Sequence, residues 1–161
     1  MRCQEDFMIR ELRQTDTDRI AEIWLDTNIR AHDFIPAEYW EGNFAAVREM
    51  LPQAEVYVYE EKRGGLGLSE QSDPGRDEIL GFIGLNGDYI EGIFVCGEAQ
   101  SRGIGKALLD HVKERKKKLS LNVYKKNRRA VRFYQRECFR IGEEGTDENT
   151  GESEYLMIWE S

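Results

Sequence analysis

The fold of this chain is indicated most clearly by residues 90–109, which read IEGIFVCGEAQSRGIGKALL. Apolar residues run up to Val95, a glycine-containing turn follows, and from Gly103 onward the spacing of apolar residues is helical. The pattern predicts a strand, a turn and a helix, in that order. The first N–H groups of a helix are unpaired and lie at the positive end of its dipole, so phosphate oxygens bind there. The stretch therefore predicts a phosphate-binding turn, in which Gly103 and Gly105 let the backbone approach the ligand closely.

Two better-known phosphate-binding loops do not fit these residues. A P-loop requires Ser or Thr directly after Gly-Lys, but Ala107 follows Gly105 and Lys106, and the upstream glycine is missing. A dinucleotide-binding fingerprint requires a third glycine after Gly105, and the sequence has none at that spacing. Arg102 and Lys106 would add positive charge to the turn. Taken alone, the turn is also compatible with an ordinary helix entry that binds nothing.

The patterning on both sides of this stretch predicts alternating strands and helices in a single domain, residues 1–161. Residues 1–7 are interpreted as an extension, and residues 62–78, rich in Gly, Ser, Asp and Pro, as a loop insertion. Asn86-Gly87-Asp88 is typical of a hairpin turn. The expected fold class is α/β (α+β). The strands are predicted at residues 8–13, 56–60, 79–85, 89–95, 119–123, 139–142 and 155–159, and the helices after Thr15, after Pro36, after Gly103 and at residues 127–137.

Composition excludes several classes of protein. The chain has 161 residues, of which 40% are hydrophobic, and no stretch approaches the about 18 consecutive apolar residues of a membrane span. No secretory signal is recognised at the start, and three widely spaced cysteines, Cys3, Cys96 and Cys138, favour free thiols in a reducing cytoplasm. His32 and His111 are too isolated for a metal site. The net charge of −8 disfavours general nucleic-acid binding.

Two motifs carry a family resemblance. Gln100-x-x-Gly103-x-Gly105 after a strand resembles motif A of the GNAT superfamily of N-acetyltransferases, and Asn127 opens a segment that resembles the family's N-xx-A-xx-FY. The resemblance covers residues 8–159, nearly the whole chain. His32-Asp33-Phe34-Ile35 and Tyr39-Trp40 look like a small bacterial, YiaC-like branch whose members are peptidyl-lysine N-acetyltransferases; the insertion at residues 62–78 departs from that branch.

The resemblance implies a fold and a bound co-substrate. The fold would be a mixed, mostly antiparallel sheet with one splayed strand pair, flanked by about four helices. Acetyl-CoA would lie in the splay, with its pantetheine arm along the first strand of the pair and its pyrophosphate on the turn, and no metal would be needed. The residues expected to bind it are Ile93, Phe94, Val95, Gln100, Arg102, Gly103, Ile104, Gly105, Lys106 and Asn127.

The acceptor in this family is an amine, and its chemistry predicts two catalytic groups. A lysine amine must lose a proton before it attacks a thioester, so a general base is useful. Glu91 is the candidate base, because strand alternation would place it on the face of Ile93 and Val95; an exposed strand glutamate is the alternative. Tyr134 matches the family position near the cofactor sulfur and is the candidate acid; a core tyrosine is the alternative.

The acceptor site would be walled by the break between the first two helices. His32 and Phe34 lie in that break and Tyr124 lies beside the cleft strand, so these three are the candidate acceptor-binding residues; packing roles remain open for them. The expected partners are acetyl-CoA and a protein lysine or small amine, with no membrane, no nucleic acid, and a monomeric or homodimeric chain. Two other functions stay open, namely an acyl-CoA-binding regulatory module without catalysis and a toxin that acetylates aminoacyl-tRNA.

Overall fold

The computed structural model describes residues 7–62 and 78–161. Elements occur in the predicted order and, apart from three short 3-10 turns, comprise seven strands and four helices in the described residues. The strands are β1 (Phe7–Glu11), β2 (Glu55–Glu61), β3 (Glu78–Asn86), β4 (Tyr89–Val95), β5 (Lys118–Tyr124), β6 (Arg140–Thr146) and β7 (Ser153–Glu160). The helices are α1 (Thr17–Ala31), α2 (Ala37–Met50), α3 (Ile104–Lys113) and α4 (Arg128–Arg136).

All seven strands form one sheet in the order β1-β2-β3-β4-β5-β7-β6. Every neighbouring pair is antiparallel except β4 and β5, which run parallel at the middle of the sheet. This arrangement confirms the mixed, mostly antiparallel sheet with four flanking helices that the resemblance implied.

The centre of the core is β3, whose side chains from Ile79 to Leu85 are all buried. Both α1 and α3 pack on β3, and a strand buried on both sides must have a layer on each face, so these helices cover opposite faces of the sheet. Helix α2 packs on α1, and α4 lies beside α3, where the Phe133 ring reaches to within 3.5 Å of a Cβ placed on Gly105. The cleft described below therefore has the α1–α2 layer on one face and the α3–α4 layer on the other.

The first strand and helix differ from the predicted bounds. β1 begins at Phe7, which stacks on Tyr59 with ring centroids 4.7 Å apart, so Phe7 belongs to the sheet and not to the extension. The residues Thr15 to Asp18 predict a helix start with a hydroxyl cap at Thr15, but a 3-10 turn precedes α1 and the carboxylate of Asp16 accepts the Arg13 backbone N–H at 2.7 Å. Residues 1–6 lie outside the described residues, as does the predicted insertion apart from its two end residues.

The final hairpin is longer than predicted. β6 and β7 extend over residues 140–146 and 153–160, although β6 is exposed throughout and carries Glu143 and Glu144. β6 is an edge strand, where charged side chains protect the unpaired edge from association with other strands. Its lack of an apolar alternation explains why sequence patterning ends the strand at residue 142.

One cluster of buried charges links the first two strands to the start of α1. The Arg10 guanidinium bonds Glu60 at 2.8 Å and Asp16 at 2.9 Å, and only about a tenth of each of these side chains is exposed. Burial alone would raise the pKa of Asp16, but hydrogen bonds from Arg10 and from the Arg13 amide outweigh it and lower that pKa. The cluster stabilises the sheet edge away from the cleft.

Candidate active site

The strands β4 and β5 separate immediately after they meet. A single pair, Tyr89 with Ser120, joins them, and the Ser120 N–H donates to the Asp88 carbonyl at 3.0 Å. Within the described residues, β4 and β5 form no other pair, and β4 continues to Val95 paired with β3 alone. The separation confirms the splayed pair. It leaves β4 backbone groups on the cleft side available to an extended ligand.

The turn between β4 and α3 contains two residues in the left-handed region, Ser101 at φ 68° and Gly103 at φ 83°. Gly103 is the N-cap of α3, and among the described residues no side chain caps this helix. A Cβ at Gly103 would meet nothing within 4 Å, so the space beside it is open. The first N–H groups of α3 therefore lie uncapped at the end of the cleft, an arrangement that suits a pyrophosphate.

Gly105 has a different environment from Gly103. A Cβ there would lie 3.5 Å from the Phe133 ring and 3.8 Å from Ile93 Cγ2, which are ordinary packing distances. Gly105 therefore faces the packed contact between α3, β4 and α4. Its side faces protein, whereas the sequence analysis gave it the same ligand-facing role as Gly103.

Arg129, which sequence reasoning missed, connects the turn to α4. Its Nη1 donates to Gln100 Oε1 at 3.2 Å, and its Nη2 donates to Ser101 Oγ at 3.1 Å. The Gln100 amide in turn donates to the Val95 carbonyl at 3.0 Å. These bonds join the end of β4, the turn and the first turn of α4 across the open end of the cleft.

The two cations predicted to bind phosphate are paired with carboxylates. Arg102 Nη2 lies 2.7 Å from Glu61, and Lys106 Nζ lies 3.2 Å from Asp110 and 3.3 Å from Glu137. The hydrogen bonds that the Lys106 ammonium donates to Asp110 and Glu137 raise the pKa of Lys106. In all three ion pairs the cation is about half exposed, and exposed pairs of this kind typically contribute little to stability.

Glu91 occupies a β-bulge. Gly84 of β3 pairs with Gly92, but the next residue, Leu85, pairs with Ile90, so Glu91 has no opposite residue in the register. A bulge of this kind interrupts the alternation of side chains along the strand. Strand period two, which the sequence analysis used, therefore does not apply at Glu91.

The bulge places Glu91 on the opposite face of the sheet from Ile93. The Glu91 Cβ lies 3.9 Å from a Cβ built on Gly84, whereas Ile93 faces Gly105 of α3. Gly84 shares its face with Phe82, two residues earlier, whose ring stacks on Phe94 at 4.9 Å. The expectation that Glu91 shares a face with Ile93 and Val95 is wrong; its side chain is exposed on the face covered by α1.

Glu91 lies close to Tyr89, the residue at which β4 separates from β5. The Tyr89 hydroxyl bonds the Asn122 side chain at 2.8 Å, so it reaches across from β4 to β5. Burial raises the pKa of Tyr89, and the charges of Glu91 and Glu154 raise it further. The Glu91 carboxylate therefore lies near the closed end of the cleft, on the α1 face.

Tyr134 belongs to the opposite layer. It is the buried residue of α4, and its ring packs edge-on against Phe133 at 5.1 Å and Phe139 at 5.5 Å. Burial raises the pKa of the Tyr134 hydroxyl well above its usual range, so the group is protonated at neutral pH. Glu91 and Tyr134 thus belong to opposite faces of the splayed sheet.

His32, Phe34 and Tyr124 form one aromatic cluster. The His32 ring meets Phe34 at 5.6 Å and Tyr124 at 5.2 Å, both edge-on, and stacks on Trp40 at 5.2 Å. The structure therefore brings together the three residues that the sequence analysis assigned to the acceptor wall. Trp40, which belonged to the family resemblance but not to the predicted site, forms the base of the cluster.

Tyr124 and Asn127 are held by further bonds. The Tyr124 hydroxyl donates to Asp147 at 2.6 Å, and burial together with this bond raises its pKa well above the usual range. Asn127 caps α4 by accepting the Ala130 N–H at 3.3 Å, and its Nδ2 lies 3.3 Å from His32 Nε2. Asp147, on the turn between β6 and β7, was not predicted in the site.

The family assignment follows from comparison with known proteins. The sequence profile of the acetyltransferase (GNAT) family matches residues 18–138. This chain belongs to the GNAT acetyltransferase family. The peptidyl-lysine N-acetyltransferase YiaC of Escherichia coli is 34% identical over 154 residues, which cover 94% of this chain and 96% of YiaC. The peptidyl-lysine N-acetyltransferase YjaB of E. coli is 29% identical over 83% of this chain and 82% of YjaB.

Solved GNAT structures share the fold. The solution structure of apo YjaB from E. coli has a TM-score of 0.75 at 24% identity and covers 95% of this GNAT chain and 97% of its own. The PaiA N-acetyltransferase of Thermoplasma acidophilum, solved in complex with coenzyme A, has a TM-score of 0.71 at 16% identity, over 96% of this chain and 99% of its own. In the described part of this GNAT acetyltransferase, no cluster of three or more potential ligands suits a metal ion, and no helix is long and apolar enough to cross a membrane.

Proposed function

We propose that this acetyltransferase transfers the acetyl group of acetyl-CoA to the side-chain amine of a lysine in a protein or peptide. The observation that supports it most directly is the splay between β4 and β5, which ends at the uncapped N-terminus of α3. The cleft-side backbone of β4 suits an extended pantetheine arm, and the open space at Gly103 suits a pyrophosphate. Acetyl-CoA would supply a thioester whose acetyl carbon is electrophilic toward a neutral amine.

The amine must first be made neutral. A lysine with a pKa of about 10.4 costs about 4.6 kcal/mol to deprotonate at pH 7. Glu91 is the proposed general base that accepts the proton of the lysine amine, either directly or through one water, because its carboxylate is exposed on the α1 face near the closed end of the cleft. The same face carries the aromatic cluster of His32, Phe34 and Tyr124, so the proposed base and the proposed acceptor wall lie on one side of the sheet.

The group that acts on the leaving thiolate, Tyr134, belongs to the face of the sheet covered by α3 and α4. As the amine nitrogen bonds the acetyl carbon, the carbon–sulfur bond breaks, the sulfur leaves with the bonding electrons, and the Tyr134 hydroxyl donates a hydrogen bond to it as negative charge develops there. Burial raises the pKa of Tyr134, so its hydroxyl stays protonated at neutral pH and remains available as the donor to the leaving sulfur. Arg129, through Gln100 and Ser101, would hold the turn in position relative to the helix that carries Tyr134.

The choice of a peptidyl lysine is supported by the names of the relatives, since both YiaC and YjaB are peptidyl-lysine N-acetyltransferases and match most of this chain. Negative groups near the aromatic wall would favour a cationic acceptor; Asp147 bonds Tyr124, and the charge of Glu154 reaches Tyr89. The two described cysteines, Cys96 and Cys138, are free, which is compatible with action in the reducing cytoplasm.

The proposal is tested by incubating the purified chain and acetyl-CoA with a lysine-bearing peptide library, a panel of free amines and aminoacyl-tRNA. Products are identified by mass spectrometry, and acetyl-CoA binding is measured by calorimetry on the same sample. Acetylation of lysine side chains in selected peptides is the expected result. Acetylation of free amines alone, or of aminoacyl-tRNA, would replace the peptidyl acceptor; tight acetyl-CoA binding with no product would favour a binding module.

A further inference from the structure

Asn127 uses both ends of its side-chain amide. As the N-cap of α4, its Oδ1 accepts the Ala130 N–H at 3.3 Å, while Nδ2 faces His32 Nε2 at 3.3 Å. His32 is the C-cap of α1 and begins the break before α2, whereas Asn127 follows β5 at the start of α4. This contact therefore joins the acceptor wall to the helix that carries Tyr134, across 95 positions of sequence.

The helix cap fixes which atoms meet at this contact. If the Asn127 amide were reversed, Nδ2 would face the Ala130 N–H, and two donors would oppose each other. With Oδ1 committed to the cap, Nδ2 is the donor, so His32 Nε2 must accept. The imidazole proton then resides on Nδ1, and the charged imidazolium is excluded because it would place a second donor against Nδ2.

The surroundings of His32 agree with a neutral ring. It packs between Trp40, Phe34 and Tyr124, and Nδ1 is buried with no hydrogen-bond partner among the described residues, so the Nδ1–H group is held at a desolvation cost that the contact with Asn127 must offset. Burial lowers the pKa of His32, and the backbone of Asn28 only partly opposes this. The aromatic side chains add no charge that would stabilise the imidazolium.

We propose that Asn127 is a positioning residue, which holds His32 as the neutral Nδ1–H tautomer and thereby fixes the aromatic wall of the acceptor pocket against α4. The role of the wall in acceptor binding rests on the proposed function, whereas the state of His32 does not. Through this link, the same amide that caps the cofactor-side helix determines the orientation of the ring that meets both Phe34 and Tyr124.

The link has a defined pH dependence. The pKa of His32 in the folded chain lies below its ordinary value of 6.5, so the neutral, linked form is fully present above pH 6.5 and is lost as the pH falls through the folded-state pKa. The ionisable groups on the elements packed around the ring are Asp33, next to His32 in the chain, Tyr39, whose ring packs on Trp40, Tyr124 with its partner Asp147, and Lys126, whose ammonium lies 5.5 Å from the Phe34 ring centre.

Two substitutions at Asn127 remove its contact with His32 but keep the N-cap of α4. Serine and aspartate both cap helices well, so Asn127→Ser removes the donor to His32, and Asn127→Asp replaces it with a charged acceptor, while α4 keeps its cap. Gln135→Glu at an exposed position of α4 adds the same charge elsewhere and is the matched control. His111 is the other histidine of the chain, so His111→Gln leaves only the His32 signals for assignment. Thermal unfolding establishes that each variant is folded.

The decisive measurement is a 15N NMR titration of His32, combined with KM and kcat for a peptide acceptor and Kd for acetyl-CoA. We expect the Nδ1–H tautomer in the wild type, its loss in Asn127→Ser, and a roughly tenfold or greater increase of His32 proton affinity in Asn127→Asp, as an adjacent opposite charge produces. The acceptor KM should rise at least fivefold in both variants with a smaller change in kcat. In Asn127→Asp, the acidic limb of kcat/KM should move to higher pH.

The outcomes distinguish a failure of the proposed Asn127–His32 contact from a failure of the proposed acetyltransferase activity. An Nε2–H tautomer in the wild type, or a His32 titration unchanged by both Asn127 variants, would overturn the link. An altered His32 with an unaltered acceptor KM would overturn its role in positioning the wall. If the wild type acetylated no amine at all, the proposed function would fail, and the NMR titration would still decide the state of His32.

Discussion

Arg129, in the first turn of α4, donates from Nη1 to Gln100 Oε1 at 3.2 Å and so holds the turn that precedes α3. Its second bond, to Ser101, acts on a residue with φ 68°, a conformation that costs a non-glycine residue free energy. The bonds from Arg129 stabilise the strained turn in the shape that leaves the α3 N–H groups free.

Replacing Arg129 with Met should therefore weaken acetyl-CoA binding by roughly tenfold, since lost charge-assisted hydrogen bonds are worth about 1.5–3 kcal/mol. Arg132→Met, on an exposed position of the same helix, is the matched control and should change the Kd little. The measurement is calorimetric Kd for Arg129→Met, Gln100→Leu and the double variant. Purely additive effects in this cycle would contradict a role through Gln100.

The two glycines of the turn should respond differently to alanine. At Gly103 the φ of 83° costs alanine about 1–2 kcal/mol, although its Cβ would have open space. At Gly105 the Cβ would make ordinary contacts at 3.5 Å with Phe133. If alanine lets the empty turn leave the φ 83° conformation that binding requires, Gly103→Ala should weaken acetyl-CoA binding by about five- to thirtyfold, and Gly105→Ala should retain near wild-type affinity. Equal affinities for the two variants would mean that the pyrophosphate binds elsewhere.

Glu91→Gln tests the proposed base. The variant should lose about 10²- to 10⁴-fold in kcat at neutral pH, while acetyl-CoA affinity stays near wild type because the β4 backbone is unchanged. Its rate should then rise steadily with pH as more of the acceptor amine becomes neutral. Glu41→Gln, exposed on α2, is the control. A pH–rate profile identical to that of the wild type would assign the proton to water or another group.

Tyr134→Phe tests the proposed acid. Removing the hydroxyl should lower kcat by about 10²-fold, with little change in the Kd of acetyl-CoA, because the ring contacts with Phe133 and Phe139 remain. Tyr57→Phe, whose hydroxyl bonds Glu55 on β2, is the control. Undiminished turnover in Tyr134→Phe would remove the hydroxyl from the mechanism.

The buried charge cluster of Arg10, Asp16 and Glu60 should make the free energy of unfolding fall on acidification in the wild type and rise on acidification in a variant without Arg10. In the wild type the pKa of Asp16 is lowered from 3.8, so its contribution is present above that value and is lost as the pH falls through the folded-state pKa. Arg10→Met leaves buried carboxylates without this partner and should cost about 3–5 kcal/mol at pH 7. The variant should regain stability on acidification, as these carboxylates become neutral.

The control for Arg10 is Arg48→Met, which breaks the exposed pair with Asp18 and should cost at most about 1 kcal/mol. Urea unfolding at several pH values measures both variants. A loss for Arg10→Met no larger than for Arg48→Met, or a loss that grows on acidification, would contradict the assignment of the cluster as a buried, coupled group.

Sequence patterning predicted the features that are set locally. The strand, turn and helix of residues 90–109 follow from a short apolar run and a helical repeat, whereas Asn127 was predicted as a cofactor contact and its role as the N-cap of α4 emerged only from the structure. The bulge at Glu91 could not be predicted in this way, because it depends on how Gly84 and Leu85 of β3 align with β4. One extra residue in that register moved the candidate base to the other face.

Sequence patterning also could not predict contacts between residues that are far apart in the sequence. Gln100 and Arg129 are 29 positions apart, and Arg129 stands in a series of α4 arginines that patterning cannot tell apart. Arg102 was predicted to add positive charge to the turn, but folding brings Glu61 from 41 positions away to within 2.7 Å of it. These pairings depend on the tertiary arrangement, which residue type and spacing do not encode.

The single rung between Tyr89 and Ser120 means that the sheet consists of two hydrogen-bonded halves, β1 to β4 and β5 with β7 and β6. A ligand backbone seated between them would serve as an additional strand and turn two half-sheets into one continuous ladder. Loading the protein would then complete its architecture: amide exchange along the far end of β4 should slow, and the two halves, which can open independently when empty, should unfold together.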